Sequence, residues 1–202
     1  MNVRTLLSAA GLLAVGVLLA GQVRGLLADP AVWPPDDYVQ YWAAGRLNLH
    51  GQNPYSPDLL LPLERAAGRK TDATGAKGEL TEAVMMWNPP WTLPVVMPLG
   101  ALPARVGQLV WLLVGLVAVG YSADLLWRVY GGPARLRWLA WLVAFTFVPT
   151  LVVLNVGQIG PLLLLGAALF VAFNRSGQPV LAGAAAVLLA VKPHLAYLVW
   201  PL

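Results

Sequence analysis

Residues 104–127 read ARVGQLVWLLVGLVAVGYSADLLW, and between Arg105 and Asp124 they carry no charge. At 1.5 Å rise per residue this stretch makes about 36 Å of helix, enough to cross the roughly 30 Å hydrocarbon core of a bilayer. Two more windows, 6–23 and 138–174, contain no charged residue. Outward from these windows the whole chain reads the same way. It is 58% hydrophobic and 11% charged over 202 residues, where an average soluble domain is about 25% charged. The expectation is an all-α, polytopic transmembrane helix bundle with spans at 5–27, 104–127, 138–154, 161–173 and from 180 onward.

The short connections orient these spans. Arg4 precedes the first, Arg128, Arg135 and Arg137 separate the second from the third, and Arg175 separates the fourth from the fifth. Positive residues stay on the cytoplasmic side. The N-terminus is therefore expected inside, and residues 28–103 and the 155–160 turn outside. The first span has no small-x-small cleavage pattern, so it reads as an uncleaved anchor rather than a signal peptide. Three regions follow: a first span (1–27), an extracytoplasmic loop (28–103), and spans two to five (104–202), in an integral plasma (inner) membrane protein. The apolar run at Pro201-Leu202 suggests a piece of a longer polytopic protein, with a five-span protein as the other reading.

The net charge of +4 does not indicate nucleic-acid binding, because no basic cluster is interleaved with aromatics. Cysteine is absent, which excludes disulfides and thiol chemistry. The two histidines have no metal-ligand spacing, and no cofactor motif is present. In the outer loop, Tyr38, Tyr41, Trp42, Gly45 and Leu49 recur at helical spacing. Asp36 or Asp37 serves as N-cap and Gly51 lies beyond the C-terminus. Such a helix suits the membrane interface. A second short helix is expected over 57–67, with Ser56 as cap and Pro57 at its first position. Residues 68–82 read as a mobile loop. Five prolines between 89 and 103 exclude a regular membrane helix there, so residues 87–103 should be a broken, interfacial segment touching the Tyr38 helix.

Three groups of residues can carry chemistry. Asp36 and Asp37 sit close to the outer membrane surface, where a carboxylate acts either as general base for a hydroxyl or as helix cap. Lys192 falls within the fifth span, directly before Pro193. With His194 it can hold a lipid phosphate at a broken helix, or it snorkels to the headgroups. Asn155 and Gln158 in the outer turn, and Asn88 in the proline-rich run, can bond sugar hydroxyls or close backbone turns. Trp87 and Trp91 read as interface anchors.

Four ordered motifs carry a resemblance. Asp37-Tyr-Val-Gln-Tyr-Trp-Ala-Ala-Gly-Arg46 with Gly51-Gln-Asn-Pro-Tyr55 resembles the first outer loop of glycosyltransferase family 87. Met86-Trp-Asn-Pro-Pro-Trp-Thr-Leu93, Gly157-Gln-Ile-Gly-Pro-Leu162 and the run from Ala182-Gly183 to Lys192-Pro-His-Leu195 resemble its later motifs. The resemblance implies a multi-span enzyme of the GT-C class, similar to polyprenol-phosphate-mannose-dependent mannosyltransferases. It implies a polyprenyl-phosphate sugar donor, a lipid or glycan acceptor, and Asp37 as the acidic residue, with Asp36 behind it. Full members of that family have more spans. Two other classes stay open: a transporter or lipid flippase, and a non-catalytic membrane subunit.

Overall fold

The computed structural model describes residues 36–69 and 80–195, with residues 10, 11, 13–18, 20, 21 and 24 as helix. Residues 5–9, 12, 19, 22, 23 and 25–27 of the expected first span and residues 70–79 of the 68–82 loop lie outside the described residues. Those described are helical, with no strand among them, so the all-α expectation holds there. They divide into two compact units. The first comprises residues 25–114 and 155–158, the second residues 1–24, 115–154 and 159–202.

The first unit is built on α1 (Asp36–Leu49), α2 (Pro57–Ala66), α3 (Leu93–Gly100) and the start of α4 (Ala104–Val129). Asp36 and Asp37 lie inside the first turn of α1, where the helix dipole favours carboxylates, and not before it as caps. The helix closes through Gln52 N–H to Leu47 O at 2.9 Å and Gly51 N–H to Asn48 O at 3.1 Å, a Schellman-like end. Tyr38, Tyr41 and Trp42 are buried as their spacing suggests, but so are Val39, Gln40, Ala43 and Ala44. Helix α1 is therefore covered nearly all round within its unit, more fully than the spacing of its aromatics alone indicates. One reason is the backbone contact with α3. A Cβ on Gly45 would stand 2.5 Å from Val96 O, and one on Gly100 would stand 2.2 Å from Arg46 N. Only glycines permit this approach.

The proline-rich run is broken as expected. A 3-10 turn at Pro90–Thr92 leads into α3, which ends before the Ala101–Pro103 corner. Pro94 sits in the first turn of α3, where its missing N–H costs nothing. Helix α2 begins at Pro57 as expected, but Ser56 makes no side-chain cap bond.

The second unit contains the rest of α4, then α5 (Arg137–Thr146), α6 (Val148–Asn155, of which Asn155 falls in the first unit), α7 (Gly160–Arg175) and α8 (Pro179–Leu189). Helix α4 has 26 residues, and its most apolar 18-residue stretch has a mean hydropathy of 2.0. It is the one described helix long and apolar enough to cross a membrane, or one of two if α5 and α6 count as a single bent span. The expected span over 138–154 is bent in the middle. Phe147 adopts extended backbone (φ −68°, ψ 114°), and the axis bends by 58°. Pro149 supplies the reason, since it has no N–H to continue the α5 ladder but fits the first turn of a new helix. Helices α7 and α8 pack through small residues. Ala182 and Ala185 are buried, and Gly166 lies so close that a Cβ there would meet Leu188 Cβ at 2.7 Å. Helix α8 ends at Leu189, three residues short of Lys192, and a 3-10 turn follows at Pro193–Leu195.

Candidate functional site

In the first unit, α1 is tied down along its length by side chains that donate to carbonyls. Tyr38 Oη donates to Ala104 O at 2.7 Å, Trp42 Nε1 to Leu102 O at 2.9 Å, and Arg46 Nη1 to Gly100 O at 3.2 Å. The Arg46 guanidinium also lies over the Trp42 ring, 5.6 Å from its centroid. Burial pushes the Tyr38 phenol well above its ordinary pKa, so the hydroxyl remains a proton donor to Ala104 and is unsuited to act as a base. Asp37, next to this anchored tyrosine, is half-buried and accepts a hydrogen bond from Gln40 Nε2 at 2.9 Å.

The 155–158 turn belongs to the same unit. Trp111 Nε1 donates to Gly157 O at 2.7 Å, and the Trp111 and Tyr41 rings meet at 5.8 Å with a 56° tilt. Gly157 has φ +73°, and a Cβ there would stand 2.7 Å from Tyr38 Cβ. The turn thus abuts the residue that follows Asp37. Two motifs more than a hundred residues apart meet here, with Gln158 half-buried and Asn155 exposed. Asn88 is buried, and its carbonyl accepts a hydrogen bond from Tyr55 Oη at 3.3 Å.

Sequence reasoning passed over Gln108 on α4. It is 3% exposed, and among the described residues neither amide atom has a hydrogen-bond partner. The Thr92 hydroxyl is buried and has no partner among them either. A buried amide left unbonded is costly, so Gln108 is a polar group that a substrate hydroxyl would satisfy. The signal was a glutamine in an otherwise apolar helix, three residues before Trp111. Glu64 and Arg69 were also missed. They form a buried ion pair at 2.7 Å, and the carboxylate accepts the Val84 N–H at 3.1 and 3.2 Å.

Lys192 and His194 lie in the second unit. Lys192 is half-buried in the turn after α8, held by its N–H to Leu189 O at 3.3 Å, while His194 is exposed on the 3-10 turn. The sequence reading carries the helix to Lys192 with a break at Pro193; the helix instead ends at Leu189, before Lys192. No group of three or more potential metal ligands occurs among the described residues.

Residues 87–202 match the family model of glycosyltransferase family 87. No curated protein and no solved structure matches the chain. The matched region includes Asn88, Asn155, Gln158, Lys192 and His194, whereas Asp36 and Asp37 precede it. It covers more than half of the sequence, so the chain belongs to glycosyltransferase family 87, a family of sugar-transferring enzymes.

Proposed function

We propose that this transferase is a multi-pass membrane enzyme. It moves a sugar, mannose or another hexose, from a polyprenyl-phosphate carrier to an acceptor hydroxyl at the outer face of the membrane. The observation that carries the reading is the packing of the Gly157-Gln158 turn against the anchored helix turn bearing Asp37. It gives a carboxylate and an amide a rigid setting in one unit. In the reaction, the Asp37 carboxylate takes the proton of the acceptor hydroxyl as its oxygen attacks the anomeric carbon. The bond from that carbon to the phosphate oxygen breaks, and the electron pair leaves with the polyprenyl phosphate. Lys192, with His194, meets the charge gathering on that phosphate. A single displacement of this kind inverts the anomeric configuration. Gln108, Gln158 and Asn155 offer hydrogen bonds to sugar hydroxyls, and Asp36 is the alternative base.

The test uses membranes carrying the full chain and radiolabelled polyprenyl-phosphate mannose. Asp37→Asn is expected to lower turnover by roughly 10²- to 10⁴-fold, the range for a general base, with donor binding retained. Lys192→Ala is expected to weaken donor binding as well. Full turnover in Asp37→Asn would reject the assignment and return Asp37 to a purely helical role. Orientation is tested in the cysteine-free chain. A cysteine at exposed Glu82 should react with an impermeant thiol reagent in intact cells, and one at exposed Ala134 should not. The reverse pattern would overturn the topology.

A further inference from the structure

A cavity within the second unit has no part in the chemistry above. It holds about 620 Å³ and runs along one face of α4, past Val119, Ala123, Trp127 and Tyr130, against Ala140 and Ala144 of α5. The three alanines leave the room. A further cavity of about 190 Å³ shares Val119, Phe147, Thr150 and Leu164 with it and continues toward Pro161. The bend at Phe147 turns α6 away from the line of α5 and so shapes the common wall. From Val119 to Tyr130 is about 16 Å along the helix axis, close to half the roughly 30 Å hydrocarbon core. The groove has the length of one leaflet.

Its Tyr130 end is cationic. Arg128 and Arg137 pair with Asp124, Arg175 meets Tyr130, and Arg135 lies in the Ala134–Leu136 turn that follows; among the described residues Asp124 is the acid paired with them. That carboxylate is already engaged by Arg137 Nε at 2.6 Å and by Arg128 at 3.0 Å. Arg175 lies over the Tyr130 ring at 4.3 Å and donates to Val129 O at 2.8 Å, so one guanidinium touches a residue that lines the groove. Arg135, three residues past the lining Gly132, has no ion-pair partner among the described residues. An apolar slot one leaflet long with positive charge at its mouth suits a lipid with an anionic head group.

We infer that this groove binds an anionic phospholipid, its phosphodiester at Arg135 and Arg175 and one acyl chain along α4 and α5. The inference rests on the membrane reading of α4 and not on Asp37 or Lys192. Interfacial arginines are each worth about 1 kcal/mol toward anionic lipid, so two of them predict a preference on the order of tenfold. The chain is reconstituted in phosphatidylcholine nanodiscs carrying increasing fractions of phosphatidylglycerol with brominated chains. Quenching of Trp127 is read as the difference between the native chain and Trp127→Phe. Half-quenching is expected at roughly one-tenth the mole fraction needed with brominated phosphatidylcholine. Arg135→Gln with Arg175→Gln should remove that preference. Ala140→Phe, which fills the slot and leaves the arginines in place, should abolish the Trp127 quenching itself. Asp37→Asn should change neither. Equal quenching by the two lipids overturns the site, as does displacement of phosphatidylglycerol by substoichiometric polyprenyl phosphate. Absence of Trp127 quenching while other tryptophans respond means that protein fills the groove, and also overturns it. If no tryptophan responds to either lipid, the membrane reading fails with it.

Discussion

The two units are held together by different means. In the first, buried side chains donate to backbone carbonyls across long sequence separations, and glycine lets α1 and α3 touch backbone to backbone. An ion pair is sealed inside, with the Arg69 and Glu64 side chains 1% and 0% exposed. In the second, small residues let α7 and α8 meet, and the ion pairs of Asp124 involve arginines 45% and 49% exposed. Large apolar side chains there, such as Val143 and Val187, stay uncovered. The difference teaches where each unit draws its stability. The first carries a hydrogen-bonded, covered interior beside exposed apolar residues such as Leu113, whereas in the second more of the large apolar side chains stay exposed.

The largest expected effect separates the two kinds of ion pair. Glu64→Gln removes the charge facing the buried Arg69 and loosens the segment held at Val84. It should cost about 3–5 kcal/mol, as breaking a buried pair does. Arg137→Gln in the second unit leaves Asp124 with Arg128 and should cost about 0–1 kcal/mol, since a half-exposed pair is largely screened by solvent. Thermal unfolding of both variants in the same detergent checks this. Comparable shifts would remove the distinction between the units.

A smaller effect tests the backbone contact. Gly45→Ala places a methyl against Val96 O, and because the obstructing atom is backbone no rotamer can relieve it. A cost of about 1–3 kcal/mol is expected. Gly183→Ala on the exposed face of α8 meets nothing within 4 Å and should be neutral or mildly stabilising. If Gly45→Ala is as stable as Gly183→Ala, α1 and α3 are not as close as described.

How much of this was legible depends on the range of the interactions. The bounds of α4 and α7 fall within two residues of the sequence reading, because apolar runs end at charges and prolines that act locally. The 3–4 spacing of Tyr38, Tyr41 and Trp42 was local too, so α1 could be read. Its burial all round could not, because α3 covers it from some fifty residues away. Pro149 was visible, yet the charge-free window read through it. Glu64 looked like an ordinary surface acid, since its partners Arg69 and Val84 form no helical pattern with it. Gln108 was hidden among apolar neighbours, where a polar residue near a helix start passes for an interface position. Of the candidate site, Asp37 and the Gly157-Gln158 turn could each be named from sequence. Their adjacency could not, because it depends on Gly157 packing onto Tyr38.

The smallest effect compares one bond made in both units. In each, a tryptophan indole donates to a glycine carbonyl: Trp111 to Gly157 at 2.7 Å in the first, Trp141 to Gly120 at 3.2 Å in the second. Trp111 is 7% exposed and Trp141 is 37% exposed. Gly157 lies in a turn outside any helix, so its carbonyl has no helical N–H to fall back on. Gly120 sits within α4, where its carbonyl is placed to accept the backbone N–H four residues on. Trp111→Phe therefore strips a buried acceptor and should cost about 1 kcal/mol, with Trp141→Phe smaller still. Activity should separate them further. The Trp111 bond fixes the turn that packs on Tyr38, the residue after Asp37, so Trp111→Phe should reduce transferase turnover by more than its stability loss explains, measured well below the unfolding temperature. Trp141→Phe touches no residue of the proposed site and should leave turnover unchanged. Equal turnover in the two variants would mean that the 155–158 turn packs on α1 without taking part in the reaction.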